Sequence, residues 1–407
     1  MTGATQIFSE VTIAGGGLIG LSLGIALARA GIKTVVVDSQ NPAHARSAKF
    51  DGRVCSIALG SQRIFKGINL WDDMAANAEP IREIRVSDQD STQFLHYDHI
   101  DIGTEPLGWI LENRHTRIAL IDAAQECPNL TYLAPCSALS FEILESQTCI
   151  RLNNGSSVKS KLAIAADGKN SRLREEAEIR VKEKSYGQIG IVCTVNHSNP
   201  HRGIAHERFL AGGPFAILPM PNDQSSIVWT EKTEIAKQIL EVNEHEFLTQ
   251  LESRFGKFLG SLRVTGQRWS YPISLTHALK YTSQRLALVG DAAHSIHPLA
   301  GQGFNLGIRD VAVLAELIVD HYRLGMDIGN PALLEEYEKR RQFDVLSLIA
   351  VTDGLNSLFS NNIEALRIVR DMGLATVNRI PPLKRMFMKH AMGCTGELPR
   401  LARGLSL

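Results

Sequence analysis

The apolar positions of this chain fall into two regimes, one on each side of a central alternating region. In the first regime, short unbroken apolar runs end at a glycine or an acid and read as strands buried on both faces. Residues 10–14 are such a run and lead into Gly15-Gly16-Gly17-Leu18-Ile19-Gly20. An apolar helix follows to about Ala30, with Gly31 placed to stop it. Residues 33–38 (KTVVVD) form a second strand ending in Asp38. Residues 162–166 (LAIAA) run into Asp167-Gly168, ahead of a polar segment, 169–176. Residues 286–289 run into Gly290-Asp291. A Pro- and Gly-punctuated loop, 294–303, then precedes a helix starting near Phe304. Helices are also predicted over 61–69 and 116–124, and strands over 131–133 and 149–152.

The second regime is alternating. Residues 189–195, 215–218 and 226–230 read as antiparallel strands, with one helix over about 244–255. Residues 81–86 and 94–97 look like strands of that different sheet. Beyond residue 310 the pattern is mostly helical until Pro381-Pro382 breaks it. A basic amphipathic tail follows, carrying Lys384, Arg385, Lys389, Arg400 and Arg403.

Composition narrows the class without naming a chemistry. At 407 residues the chain has room for two or three domains. Lys+Arg and Asp+Glu are 43 each, so no basic surplus points to nucleic acid. Cys55, Cys127, Cys136, Cys149, Cys193 and Cys394 are scattered with no CxxC pair, which fits a reduced, cytoplasmic setting. Residues 11–28 carry no charge and have the length of a membrane span, but Gly15, Gly16, Gly17 and Gly20 interrupt them and no basic segment precedes them. They read as strand, turn and helix.

Candidate chemistry sits at the ends of the buried strands. Gly15, Gly17 and Gly20 make a G-x-G-x-x-G that follows a strand and opens a helix, with Asp38 eighteen residues after Gly20. That is the dinucleotide fingerprint in its context: glycines for the turn, for approach of the pyrophosphate and for helix packing, and an acid for ribose hydroxyls. Asp291, at a strand end, is placed to hold a polyol. In Pro298-Leu299-Ala300-Gly301-Gln302-Gly303 the glycines let backbone approach a flat ligand, and the helix start behind them suits an aromatic system that becomes anionic. His294 and His297 are spaced H-x-x-H, but no metal-site context accompanies them; they are expected to shape the loop, and no metal is assigned. Trp269-Ser270-Tyr271-Pro272 either lines a pocket or packs in the core. No Ser-His-Asp or Cys-His arrangement stands out, and no acid or base is assigned.

In their order, the N-terminal fingerprint, Asp167-Gly168 and GDAAHSIHPLAGQGFNLGIRD resemble the single-component FAD-dependent aromatic hydroxylases. DGRVCSIAL around Arg53, LENRHTRIAL around Arg114 and the terminal AMG…LPRLARG bring the chain closest to the ubiquinone-biosynthesis hydroxylases, over essentially its whole length. The resemblance implies an α/β fold like that of p-hydroxybenzoate hydroxylase: a discontinuous FAD-binding Rossmann-like domain (1–80, 106–185, 271–330), an inserted, mainly antiparallel substrate domain (81–105, 186–270) and a C-terminal helical region (331–407). It implies that Gly15, Gly17, Gly20 and Asp38 hold the ADP half of non-covalent FAD, that Arg53 and Arg114 lie along the pyrophosphate and ribityl chain, and that Asp167 and Arg172 serve both FAD and a visiting NAD(P)H. Gly290 and Asp291 would take the ribityl hydroxyls, and Pro298, Gly301, Gln302 and Gly303 would lie beside the isoalloxazine.

The activity implied is hydroxylation of the aromatic ring of a polyprenylated ubiquinone precursor with NAD(P)H and O2, through a flavin C4a-hydroperoxide. A single fingerprint agrees with that, because the nicotinamide nucleotide then has no domain of its own. An epoxidase or prenyl reductase of the same fold, and a non-catalytic flavin-binding scaffold of a biosynthetic complex, are the alternatives. A polyprenyl tail needs an apolar channel, so contact with a biosynthesis complex or with the inner-membrane surface is expected, with residues 384–403 as the surface.

Overall fold

The computed structural model describes residues 5–47, 52–88, 94–359, 373 and 375–407. Asp51, which opens one of the segments carrying the family resemblance, lies outside them.

Among the described residues the strands form four sheets. The first is six-stranded, in the order Thr282–Ser283, Leu286–Leu288, Leu162–Ala165, Val11–Ala14, Thr34–Val37, Leu130–Leu133. All its pairings are parallel except that of the Thr282–Ser283 edge. The four strands from Leu286–Leu288 to Thr34–Val37 are buried throughout, which is why they read as unbroken apolar runs. Helix Leu18–Arg29 is buried nearly all round and lies against Val36, which a Cβ on Gly24 would meet at 2.7 Å.

The second sheet has eight strands, ordered His294–Ser295, Leu262–Ala278, Val181–His197, Gln224–Lys232, Gly213–Met220, Ile204–Leu210, Glu83–Asp88, Phe94–Asp98. One face packs Ile191, Phe215, Ile227 and Trp229 against helices Thr233–Glu241 and Glu244–Phe255. The opposite face looks toward the first sheet's layer and the C-terminal helices, where Phe209 clusters with Leu95, Leu299 and Phe359. A three-stranded sheet, Val54–Ala58, Gly108–Glu112 and Glu79–Ile81, sits between the two large ones. A four-stranded sheet (Gln6–Phe8, Ser157–Ser160, Thr148–Leu152, Ala138–Ile143) flanks the first.

Several elements are absent from the hydrophobic pattern. The polar segment 169–176 contains a short helix, Arg172–Glu176, capped by Ser171. Helix Thr233–Glu241 and strands Val54–Ala58, Gly108–Glu112 and Ile204–Leu210 are likewise not signalled by it. Pro381 opens a helix, Pro381–Ala391, rather than only ending one. The tail that follows is no loose arm. Lys384 pairs with Asp101 at 2.6 Å, Arg400 holds Glu316 and Asp320, and Leu401 and Ala402 are buried. Arg385, Met386, Phe387, Lys389 and Arg403 are among the residues of the tail that face outward. No described helix is long and apolar enough to cross a membrane.

Candidate functional site: a crevice at the strand ends

Three adjacent parallel strands of the first sheet, Leu286–Leu288, Leu162–Ala165 and Val11–Ala14, with Thr34–Val37 beside them, all point their carboxyl ends the same way. Asp291, Asp167, Gly15 and Asp38 follow those ends, so residues far apart in sequence share one rim. Such a rim is where open parallel sheets bind ligands.

The glycine turn is tight for steric reasons. Gly15 has φ +108°, and a Cβ on it would sit 2.1 Å from the carbonyl oxygen of Ala166. A Cβ on Gly20 would lie 1.9 Å from the carbonyl oxygen of Gly15. Gly17, the N-cap of helix Leu18–Arg29, is exposed and meets nothing within 4 Å. That open cradle lies in front of the helix N-terminus, where a pyrophosphate fits. Asp38 flanks it: a Cβ on Gly16 would come 2.6 Å from its Oδ2. Its Oδ1 accepts from Gln40 N at 3.0 Å and its Oδ2 from the Tyr132 hydroxyl at 3.2 Å. Burial raises its pKa, against those bonds and Arg117. Both oxygens keep lone pairs for ligand hydroxyls.

Asp167 holds the start of helix Arg172–Glu176. Its Oδ2 accepts from Arg172 N at 2.8 Å and Leu173 N at 3.4 Å, while its Oδ1 is buried without a hydrogen bond among the described residues. An orphaned carboxylate oxygen beside the glycine turn fits a ligand donor there. The Arg172 side chain pairs with Glu176 at 3.1 Å and is more than half exposed. The buried Arg174 ties this helix to the next strand end through the Ala292 carbonyl, at 3.0 Å. Asp291 is accessible in area yet lies deep between elements. That desolvation raises its carboxyl, while His294 and Lys169 pull it down.

Arg53 is exposed directly before strand Val54–Ala58, and its carbonyl accepts from Asn113 N at 3.1 Å. That contact brings it to the start of helix Asn113–Glu126, where Arg114 donates to Glu112 at 2.5 Å. Trp269 covers the backbone next to Arg53, since a Cβ on Gly52 would meet its ring at 2.1 Å. Tyr271 remains exposed.

The loop at 298–303 joins three layers. Leu299 packs with Phe209 of the eight-stranded sheet, and Gly301 abuts Ser56 of the small sheet. Gly301 is left-handed, φ +62°, and caps the 22-residue helix Gln302–Arg323. Gly303 has open space out to 4.0 Å. Gln302 turns inward toward the Ala391 carbonyl, 3.4 Å away. Asn305, which no motif singled out, pins the loop. Its Oδ1 accepts from Ala58 N (3.0 Å) and Ser61 Oγ (2.8 Å), and its Nδ2 donates to Ser56 O (2.9 Å).

The two histidines also shape this loop. His297 accepts from Leu299 N at 3.2 Å and meets Gln188 Oε1 at 3.4 Å and the edge of Tyr186. Burial pushes its pKa down to about 4. His294 bonds Asp310 at 2.7 Å. Among the described residues a further group of side chains at metal-ligand spacing, Glu83, His96 and Asp98, lies on the edge hairpin, where Arg85 already occupies Glu83 at 2.9 Å.

Glycine cradle, orphaned acid and open loop together suit a dinucleotide carrying a flat ring, and the match to known proteins agrees. The family model described as an FAD binding domain matches residues 9–349. Ubiquinone hydroxylase UbiL of Rhodospirillum rubrum is 45% identical, over 100% of this chain and 95% of the relative. The 3-demethoxyubiquinol 3-hydroxylase of Escherichia coli is 31% identical, over 95% and 98%. Among solved structures, p-nitrophenol 4-monooxygenase of Pseudomonas putida shares the fold with a TM-score of 0.79 at 18% identity, covering 96% of this chain and 100% of that one. The chain therefore belongs to the FAD-binding-domain family and groups there with the ubiquinone-biosynthesis hydroxylases, as an FAD-dependent monooxygenase.

Proposed function

We propose that this monooxygenase hydroxylates the aromatic ring of a polyprenylated ubiquinone precursor, using NAD(P)H and O2. The observation that carries the reading is the position of the loop at 298–301. It packs against the apolar face of the eight-stranded sheet through Leu299 and Phe209, so the loop meant for a flavin ring borders the surface suited to an apolar ring and tail.

FAD, when bound, supplies the redox chemistry: it takes a hydride from the nicotinamide and, with O2, provides an electrophilic oxygen. The chain's own residues bind and orient. Gly15, Gly17 and Gly20 admit the pyrophosphate to the helix N-terminus, and Asp38 takes the ribose hydroxyls. Arg53 and Arg114 flank the phosphates, Asp291 takes the ribityl hydroxyls beyond Gly290, and the free oxygen of Asp167 accepts a further donor. Arg172, bound to nothing the fold requires, is the residue offered to the visiting nucleotide. Pro298, Gly301 and Gly303 carry backbone to the ring and exclude water. The outward Arg385, Met386 and Phe387 are the part of the tail open to a membrane surface or partner complex.

The test uses purified protein with FAD, NADH or NADPH, and an ortho-prenylated phenol under isotopically labelled O2. One labelled oxygen atom in the ring supports the reading. A labelled oxygen in the prenyl chain would make the protein an epoxidase, and cofactor oxidation without stimulation by the phenol would remove this substrate class. Mass spectrometry of the quinone intermediates that accumulate in cells lacking the protein then identifies the natural precursor.

A further inference from the structure

Strand Ile204–Leu210 presents Ala205, Glu207 and Phe209 on one face, by the alternation of a strand. Phe209 belongs to the cluster with Leu299 of the flavin loop, and Ala205 to one with Leu59, Met220 and Met388. Their face is therefore the one turned toward the loop. His206 and Arg208 point the other way, to Phe258 and the Arg254 carbonyl. Glu207 lies between the two apolar clusters. Its cross-strand partners are Val86 and Ala216, and the two small residues beside it, Ala205 and Ala216, leave room over the carboxylate.

A carboxylate in such surroundings is expected to have a partner. Glu207 has neither a side-chain hydrogen bond nor an ion pair among the described residues, and it keeps partial exposure. The ionisable groups on the elements around this face are Asp88 and Tyr97 on the edge hairpin, His297 before the loop, Asp353 with its partners Lys184 and Tyr186, and Lys384 with Asp101. None of them sets the acidity of Glu207. Burial alone does, pushing it up to about 8. The partial exposure and the strong desolvation describe one situation, a side chain that keeps some open surface with protein packed closely around it.

We propose that Glu207 is the acid–base partner of the substrate's phenolic hydroxyl, an inference that rests on the aromatic-ring reading above. The phenolic O–H bond breaks, its electron pair stays on that oxygen and flows into the ring, and the proton passes to Glu207. The ring carbon then bonds to one of the two oxygens that the cofactor and O2 provide, the bond between those oxygens breaks, and its electron pair leaves on the other oxygen. When the ring regains aromaticity, its C–H proton goes to the oxygen that departs, and Glu207 returns the stored proton to the phenolic oxygen. A side chain that held only the fold would have no reason to stand unpaired on this face.

The experiment uses the FAD-loaded full chain with ortho-geranylphenol and its methyl ether as probes. In the wild type, single-turnover hydroxylation rises with pH through an apparent pKa near 8, because the ionised carboxylate is the active form. Glu207→Gln loses that rising limb and slows on the order of 100-fold, the usual contribution of a general base. FAD content and anaerobic flavin reduction by NAD(P)H stay at the wild-type level. Equilibrium titration, followed by the flavin absorbance, shows the wild type binding the phenol about tenfold more tightly than its methyl ether, and Glu207→Leu abolishing that preference. Retention of the rate and of the rising limb in Glu207→Gln overturns the proposal, even with ring hydroxylation intact. If that variant loses FAD, equal binding of phenol and methyl ether by the wild type overturns it instead. A wild type that hydroxylates no prenylated phenol removes the substrate reading, and this proposal with it.

Discussion

Asp38 accepts from Gln40 N and from the Tyr132 hydroxyl, and neither bond holds the fold: Gln40 N is two residues away and Tyr132 donates at 3.2 Å. Replacing it with alanine removes the acceptor proposed for ribose hydroxyls while leaving strand Thr34–Val37 paired on both sides. A charge-assisted bond contributes about 1.5–3 kcal/mol, so FAD affinity in Asp38→Ala should fall roughly ten- to hundredfold, read by fluorescence titration of released flavin. An unchanged affinity would take Asp38 out of the cofactor site. Arg172 makes the opposite case. Its backbone serves the fold through Asp167, while its side chain pairs with Glu176 on the next turn of the same helix. Arg172→Ala should therefore keep its FAD and slow anaerobic reduction by NAD(P)H in stopped flow. Lost FAD with unchanged reduction would assign the residue to FAD alone.

The loop at 298–303 separates two glycines that look equivalent in sequence. Gly301 is constrained by the fold itself, through its φ of +62° and the 2.9 Å separation between an added Cβ and Ser56. Gly301→Val would damage the loop whether or not a flavin ring lies there. Gly303 has ordinary backbone and open space, with Ile296 the nearest neighbour at 4.0 Å. Gly303→Val therefore tests the approach to the ring. It should fold normally and either bind FAD more weakly or consume NAD(P)H and O2 while releasing H2O2 in place of hydroxylated product. The ratio of product to NAD(P)H, scored with flavin occupancy, decides it. Wild-type values of both would place the ring elsewhere.

The same loop shows what a sequence can and cannot reveal. Buried parallel strands are unbroken apolar runs, so the strand ends with Asp38, Asp167 and Asp291 were legible, as were the glycines. Strand Ile204–Leu210 (IAHERFL) alternates imperfectly, because both of its faces are partly buried and polar. Nothing in that pattern marks Glu207. Asn305 and Gln188 act through contacts 249 and 109 residues away in sequence, which no local pattern encodes.

At the scale of the whole molecule, the rim of the first sheet is braced from behind by a buried ionic cluster. Asp310, with no exposed surface, accepts from Arg341 Nε at 2.6 Å, from His294 at 2.7 Å and from Gly290 N at 2.9 Å. It thereby joins helices Gln302–Arg323 and Pro331–Phe359 to the turn that carries Asp291. Burial alone would raise the Asp310 pKa, but His294 and Arg341 outweigh it and hold the carboxyl below its ordinary value. A carboxylate with a depressed folded-state pKa contributes stability above its unfolded value, about pH 4, and that contribution is lost as pH falls through the folded value. The cluster should therefore be at full strength through the neutral range and fail only in acid. Asp310→Ala leaves Arg341 without one of its two carboxylate partners and His294 without its acceptor. Removing one member of a buried ionic set costs about 3–5 kcal/mol, so the midpoint of urea unfolding at neutral pH should fall by that equivalent, and the gap from wild type should narrow below about pH 4. Because Gly290 N loses its acceptor too, FAD affinity should drop along with stability. A variant within about 1 kcal/mol of wild type that keeps its FAD would mean that Asp344, already bonded to Arg341 and Arg309, carries the brace without Asp310.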